Sequence, residues 1–390
     1  MRLRLAILAA LLTSASTDSF ADPLSIATFQ IDATPPLGSP LCDGLVTPAE
    51  TIIDPLSCRG VVILGAGEPI VLCAIDWVGI GNSGYDAWRE ALARAAGTTP
   101  RRVAVHCLHQ HDAPGCDFDA EDVLAAHGLA GTMFHVSFAH ETIQRAADAL
   151  RKALASPHQV THLATGLGRV HEVASNRRVL GPDGKVKYVR YSATKIPEAR
   201  AEPEGTIDPD VRLISFWNDE RPLVALTYYA THPQSYYGQG NVSYDFPGMA
   251  RAMRESAMPG VPLIHFDGAG GNVTAGKYND GAPENRQILA ERLAAGMKAA
   301  WDSAKKTSIS SADVEWRTRD VALPLRADLA DEAALERAID DEKLPLKTRI
   351  GKARNLVWTR RTRARHKIEL SCLRIGSTYV LHMPGELFVE

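Results

Sequence analysis

Two short loops of the sequence carry closely spaced histidines, the side chains best suited to bind a transition metal at neutral pH. One loop holds His109 and His111, and the other holds His232 directly before Pro233. Residues two apart in an extended segment point to the same side. His109 and His111 could therefore bind one metal ion together, or one could bind the metal while the other acts as a general base. The proline fixes the backbone after His232. Taken alone, either loop could equally be a surface turn, or could hold a core histidine that makes ordinary hydrogen bonds and binds no metal.

A glycine-rich loop and a Pro-Gly-Glu turn offer further polar groups. Asn272 and Thr274 lie among four glycines, namely Gly268, Gly270, Gly271 and Gly276. Glycine lets the backbone approach a ligand, and Asn or Thr can donate to a developing oxyanion. The loop lacks the Gly-Lys-Ser/Thr ending of a nucleotide-binding P-loop, which excludes that class. Glu386 follows an apolar run, and two histidines with one glutamate and an open position form a catalytic zinc set. Zinc-bound water has a pKa near ~7, so these residues predict an amide or ester hydrolase.

The loops are predicted to follow strands of a mixed sheet. Apolar runs rich in valine, isoleucine and aromatics predict strands at 60–65, 69–80, 101–109, 213–217, 223–232, 262–268 and 379–385. Three- and four-residue apolar spacing predicts helices at 86–97, 139–155, 283–304 and about 329–363. The polar segment 171–210 is predicted to contain a hairpin around Pro182-Asp183-Gly184. We therefore predict an α/β fold with mixed β-sheets flanked by helices, as one large domain over 22–390, with ligands bound outside the carboxyl ends of strands.

The composition excludes some classes of partner. The chain has 390 residues, 45% of them hydrophobic and 23% charged, with a formal net charge of −3. Such a charge gives no reason to expect nucleic acid as a partner, and at most peripheral membrane contact is expected. The basic cluster at 360–367 lacks interleaved aromatic residues, so we interpret it as a solvated helix face.

The N-terminus has the pattern of a secretory signal. Arg2 and Arg4 precede the apolar stretch 5–12, and a small-residue run ends at Ala21. We therefore expect residues 1–21 to be a signal peptide and the protein to be exported, either periplasmic or secreted. Six cysteines remain, and Cys42 with Cys58 is the candidate pair for a disulfide in an oxidising compartment.

The sequence resembles the catalytic N-terminal domain of the neutral/alkaline non-lysosomal ceramidase family, in the order and spacing of six segments. Family motifs of the types DITPPLG, HTHSGPGG, NRS, ATHPTS, SSDN and PGE are matched by residues 32–38, 109–115, 176–178, 230–235, 243–245 and 384–386. This resemblance implies the catalytic-domain fold of that family. It also implies a zinc-dependent amidase with a small-molecule or lipid N-acyl substrate.

The resemblance also implies roles for individual residues. His109, His232 and Glu386 would bind the metal, and His111 would contact the substrate carbonyl or assist proton transfer. Arg177 would line the site by the same resemblance. We predict catalytic roles for Arg177, Asn272 and Thr274, and substrate binding for Asp112, Gly271 and Asp245.

The sequence departs from the family at three points. Thr274 stands where the family has a serine, and Asp112 adds a charge beside the histidines. The family has a tyrosine ligand and a sandwich domain downstream of the PGE turn, whereas this sequence reads to Glu390. We therefore expect a C-terminally short member whose metal site has one ligand fewer.

Two alternatives remain open at this point. One is a secreted binding protein that keeps the fold but is catalytically impaired. The other is a barrel-type metal-dependent amidohydrolase, which is disfavoured because three or more predicted strands precede His109, whereas that fold places its His-X-His pair after the first strand.

Overall fold

The computed structural model describes residues 23–390, so the predicted signal peptide at 1–21 lies outside the described residues. The first strands are β1 (Ser25–Asp32), β2 (Thr47–Ile52), β3 (Ser57–Leu64), β4 (Ile70–Ile75), β5 (Gly79–Ile80), β6 (Val103–Cys107), β7 (Gly115–Cys116), β8 (His158–Gln159), β9 (His162–Arg169) and β10 (Ser175–Asn176). The later strands are β11 (Arg178–Leu180), β12 (Val186–Val189), β13 (Asp210–Asn218), β14 (Arg221–Tyr229), β15 (Gln239–Val242), β16 (Leu263–Asp267), β17 (Val273–Thr274), β18 (Lys305–Ser308), β19 (Val314–Val321), β20 (Ile368–Ile375) and β21 (Thr378–His382).

Eight α-helices connect or flank these strands in the described residues. They are α1 (Asn82–Ala96), α2 (Phe118–Ala126), α3 (Val136–Ala153), α4 (Pro197–Ala201), α5 (Asp245–Ala257), α6 (Glu284–Asp302), α7 (Glu332–Asp340) and α8 (Leu346–Arg363). Short 3₁₀ turns occur at Cys42–Gly44, Pro100–Arg102, Ser311–Asp313 and Ala327–Leu329.

Two five-stranded sheets form the centre of the fold. The first has the order β6-β4-β3-β1-β8 and the second the order β16-β14-β13-β9-β18. In each sheet the pair at one edge is parallel, β4 with β6 and β14 with β16, while the other pairs are antiparallel. Both sheets are open and mixed, which confirms the predicted fold class and argues against the barrel alternative.

The two sheets pack face to face with helices on both outer sides. Alternation along β4 shows this arrangement, because Leu72 enters the core between the sheets while Val71 and Cys73 enter the core under α1 and α3. Leu213 and Ile214 on β13 divide in the same way between the core under α5 and α6 and the core between the sheets. All six residues of β4 are buried, as the prediction of strands covered on both faces requires.

The predicted elements are found with shifted ends. Each predicted strand overlaps an observed one, and the run 69–80 divides into β4 and β5. The hairpin around Pro182 is confirmed as β11 and β12. The predicted helix at 329–363 is instead two helices, α7 and α8, because Pro345 precedes α8 and proline is favoured only at the start of a helix. The interpretation of 360–367 as a solvated helix face needs one addition, since Arg360 and Arg361 form ion pairs with carboxylates of this chain.

The predicted disulfide is wrong. All six cysteines are free thiols, Cys42 and Cys58 among them. Cys42 begins a 3₁₀ turn whose backbone N–H donates to Ala113 O. Cys58 instead faces Cys73 on the neighbouring strand, with their sulfur atoms 3.4 Å apart. Among the described helices, none combines the length and apolar character required to cross a bilayer.

Candidate metal centre

The two histidine loops meet at the carboxyl ends of β6 and β14. His109 and His111 follow β6, and His232 follows β14. The candidate ligand atoms of the three histidines all lie within 4.8 Å of one another. The ring centroid of His109 is 4.5 Å from that of His111 and 4.9 Å from that of His232. The structure thus brings together residues more than 120 positions apart in the sequence.

His109 is held in a backbone conformation that non-glycine residues seldom adopt. Its φ is 57°, in the left-handed region. Such a conformation costs of order 1 kcal/mol and persists where the surrounding structure imposes it, often at functional sites. Here the sharp change of direction after Leu108 aims the His109 ring at His232.

Backbone carbonyls fix the orientation of two of the rings. His109 Nδ1 lies 2.6 Å from Val78 O, and His232 Nδ1 lies 2.8 Å from Gly270 O. A carbonyl oxygen can only accept, so each Nδ1 carries the proton and each neutral ring presents the lone pair of Nε2. This arrangement is the one that metal-binding histidines have, because the outer hydrogen bond sets the tautomer and raises the basicity of the ligand nitrogen.

Glu386 completes the group from the segment after β21. Its Oε1 atom lies 2.9 Å from His232 Nε2 and 3.4 Å from His109 Nε2. Burial raises the pKa of this carboxyl, but without a metal a hydrogen bond from protonated His232, with the positive charges of protonated His232 and His109 and of Arg177, outweighs burial and lowers the pKa below its usual value. An ionised oxygen facing two nitrogen lone pairs is repulsive unless a cation or proton lies between them. The donor set therefore fits a divalent metal.

His111 lies beside this group, and its role is less constrained. Its Nδ1 is buried and has no hydrogen-bond partner among the described residues. Burial, with the charges of His109 and His232, lowers the pKa of His111 well below its usual value. Tyr237 packs against it with ring centroids 5.1 Å apart. A neutral imidazole in this place could serve as a third nitrogen ligand or as a proton acceptor.

Arg177 is the cationic side chain of the site. It is half-buried, and burial lowers the pKa of its guanidinium, against the opposing charge of Glu386. Its only side-chain hydrogen bond within the described residues is a long one, 3.4 Å from Nη2 to Gln234 Oε1. Its backbone N–H donates to Asn272 O at 2.7 Å, which ties Arg177 to the glycine-rich loop. The guanidinium is thus placed to interact with negative charge.

The glycine-rich loop holds the segment that carries Glu386. Gly271 N–H donates to Leu387 O at 2.8 Å. The Asn272 side chain accepts from Val389 N–H at 3.0 Å and donates to Glu390 Oε2 at 2.7 Å. Both polar atoms of this amide are therefore occupied by residues that directly follow Glu386. The prediction that Asn272 and Gly271 contact substrate stays a prediction, and the contacts seen give them a positioning role.

Thr274 is buried next to the site with its hydroxyl turned away from open space. The hydroxyl donates to Tyr191 O at 2.9 Å and accepts from Gly276 N–H at 3.2 Å. The strand pair β10 and β17 places Thr274 opposite Ser175. The predicted catalytic role of Thr274 therefore requires this hydroxyl to leave its present partner.

Asp112 and Asp245 lie around a buried arginine that the sequence reasoning missed. Arg286 on α6 donates to Ser235 Oγ at 2.8 Å and lies 3.3 Å from Asp245 and 3.7 Å from Asp112. Asp112 also accepts from Gly238 N–H at 2.7 Å. These contacts join the loops of His111 and His232, whereas the sequence predicted that Asp112 and Asp245 bind substrate. No local pattern marks Arg286, since it is one basic residue on an ordinary helix.

Comparisons with known proteins identify the fold. No family model and no curated protein matches the sequence. A solved structure described as "Ceramidase complexed with C2" superposes with a TM-score of 0.62 at 17% identity, covering 92% of this chain and 63% of that one. The neutral ceramidase from Pseudomonas aeruginosa gives a TM-score of 0.61 at 17% identity, with 92% and 62% covered. The fold is thus similar to that of neutral ceramidases, which confirms the resemblance at this level, and the chain spans less than two thirds of their length.

Proposed function

We propose that the protein is an exported, zinc-dependent hydrolase of N-acyl amide bonds, ceramidase-like in its chemistry. The observation that carries this proposal is the convergence of two histidine Nε2 atoms on one carboxylate, at 2.9 and 3.4 Å. Because the Nδ1 atom of each ring is hydrogen-bonded to a backbone carbonyl, the Nε2 atom of each ring is free to coordinate a metal. A nitrogen-rich site with one carboxylate suits zinc among the common metals.

His109, His232 and Glu386 would hold the metal, as the sequence resemblance implies. Bound zinc supplies a Lewis acid and a water that ionises near neutral pH. The other residues then have to orient the amide, move a proton and stabilise charge. The fit of the donor set supports this division of roles.

His111 is the candidate for proton transfer. Burial keeps its ring neutral at physiological pH, so its basic nitrogen can take a proton from the attacking water. The same imidazole can then give that proton to the amine nitrogen as the carbon–nitrogen bond breaks. Tyr237 packs against the ring and restricts the directions in which it can turn.

Arg177 is the candidate for stabilising negative charge on the carbonyl oxygen. Its guanidinium is partly desolvated, where a hydrogen bond to an anion is stronger than in water. It has no ion-pair partner within 4.0 Å among residues 23–390, so its charge is available to a substrate. A lipid N-acyl compound is the substrate class that the two ceramidase structures suggest.

Metal analysis of the purified chain tests the proposal. We expect about one zinc per chain in the wild type and loss of zinc in His109→Ala and His232→Ala. His127→Ala, which removes a histidine that contacts Asp340 and belongs to neither loop, should keep the zinc. A panel of N-acyl amides, including N-acyl sphingoid bases, then tests the reaction. Wild-type protein that stays metal-free and inactive after incubation with zinc would refute the proposal that this protein is a zinc-dependent enzyme. Hydrolysis of short polar amides alone refutes the ceramidase-like substrate.

One observation favours the alternative of a secreted binding protein. The Thr274 hydroxyl, which the family resemblance places in catalysis, is occupied by Tyr191 O. Zinc binding together with tight but unreactive N-acyl ligand binding would support that alternative.

A further inference from the structure

The hairpin of β11 and β12, with the residues that follow it, exposes an unusual concentration of large apolar side chains. Leu180 is 59% and Tyr191 65% exposed, and three aliphatic residues between 180 and 196 are 40–49% exposed, namely Val186, Val189 and Ile196. A soluble surface seldom groups such side chains without a binding function. The two strands pair only with each other among the described sheets, so no further strand extends this hairpin at either edge.

The register shows that the exposed apolar residues share one face. Leu180 pairs with Val186, and Val189 pairs with Arg178. The intervening pair, Val179 and Tyr188, turns toward the body of the protein, and Val179 is buried. Residues opposite each other in a ladder project to the same side, and a β-bulge after Val179 brings Val186 opposite Leu180. Leu180, Val186 and Val189 are therefore presented together on the outer side.

Charge around this face is opposite in sign to that of the chain. Residues 178–196 contain five basic residues and one acidic residue, Asp183, whereas the whole chain has a net charge of −3. Arg190 is buried and donates to backbone carbonyls, so it contributes little at the surface. Arg178 and Lys187 form ion pairs with Glu390 and Glu202, which leaves two lysines without ion pairs in the described residues, Lys185 and Lys195. Exposed aliphatic groups with neighbouring lysines favour an anionic lipid surface.

The hairpin is joined directly to the metal centre at its base. Arg177 immediately precedes β11, and Arg190 N–H donates to Arg177 O at 2.7 Å. Tyr191 O accepts the hydroxyl of Thr274. A surface that holds this hairpin therefore lies close to the residues that would process a substrate.

We propose that the outer face of residues 178–196 docks the protein on an anionic lipid bilayer. The aliphatic side chains enter the headgroup region, the lysines pair with lipid phosphates, and Tyr191 lies at the interface, where tyrosine is favoured. Delivery of a lipid amide to the metal centre rests on the proposed function, but binding to the bilayer does not.

Vesicle co-sedimentation of the full chain tests the docking. The probes are vesicles of phosphatidylcholine with and without phosphatidylglycerol, at low and high salt. We expect binding that needs the anionic lipid and weakens with salt. Leu180→Ser with Val189→Ser, and separately Lys185→Glu with Lys195→Glu, should each weaken binding by about tenfold or more.

The matched control is Ile288→Ser with Leu346→Ser, two exposed aliphatic residues on α6 and α8, which should bind as the wild type does. Wild type that binds neither vesicle, or a control that loses binding equally, overturns the proposal. A wild-type dimer that dissociates in the Leu180→Ser, Val189→Ser variant assigns the face to a second copy and also overturns it. Vesicle binding without amide hydrolysis refutes only the proposed function, and hydrolysis of soluble amides without vesicle binding refutes only the docking.

Discussion

Replacement of Gly271 by alanine should weaken metal binding without touching a ligand. A Cβ atom at this position would lie 2.9 Å from Leu387 O and 3.0 Å from Glu386 O, closer than side-chain carbons normally approach. Both atoms are backbone, so the segment that carries Glu386 has to move by a few tenths of an ångström. The Glu386 carboxylate lies 2.9 Å from His232 Nε2, and a shift of that size disturbs coordination geometry.

The magnitude follows from the two effects of the added methyl group. Overpacking of this kind costs typically ~1–3 kcal/mol of stability. Disturbing the groups that orient metal ligands typically weakens metal affinity by about 10–100-fold. We therefore expect Gly271→Ala to show a lower unfolding temperature and a zinc affinity reduced by about tenfold or more, measured by competition with a chromophoric chelator.

Gly385→Ala is the matched control. It lies on the same segment, directly before Glu386, but an added Cβ would meet no atom within 4 Å. We expect this variant to bind zinc as the wild type does. The reasoning is refuted if Gly271→Ala unfolds at a lower temperature yet keeps wild-type zinc affinity. The contacts between Gly271 and residues 386–388 would then not determine the position of the Glu386 carboxylate.

Three further outcomes are expected. Asn272→Ala removes both contacts to the segment after Glu386 and should lower zinc affinity by about tenfold or more, whereas an Asn272→Ala protein with normal zinc affinity but slower turnover would indicate a catalytic role instead. Burial raises the pKa of Asp112 to about 6, so the folded state retains a proton that the unfolded chain loses near pH 4, and stability falls as pH rises between these values. In urea unfolding between about pH 4 and pH 6, Asp112→Asn should remove most of this decline in the free energy of unfolding, which amounts to about 3 kcal/mol. An unchanged dependence of stability on pH would show that Asp112 is not the group responsible. Arg251→Leu removes the guanidinium whose two nitrogens donate to the carboxylate oxygens of buried Asp76 at 2.7 and 2.8 Å. The free energy of unfolding in urea should fall by about 3–5 kcal/mol, and a smaller loss would show that water reaches this ion pair.

The sequence determined the class of fold and pointed to the residues of the candidate metal site. Apolar runs mark β4, β6, β14 and β16 because burial on both faces of a sheet demands continuous hydrophobic segments. The order of the motifs around His109, His232 and Glu386 then pointed to one site, and the structure brings all three together. No single loop was sufficient, but the order of the motifs was informative because each candidate ligand lies in a short loop after its own strand.

Only the tertiary structure decided how those ligands are oriented and what the neighbouring polar residues do. Val78 O and Gly270 O set the tautomers of His109 and His232, although each lies more than 30 residues from its histidine. The Thr274 hydroxyl, whose predicted catalytic role stays a prediction, donates to Tyr191 O, a contact that the sequence could not show. Hydrogen bonds depend on distances of a few tenths of an ångström between elements distant in sequence, and residue type and spacing fix no such distances.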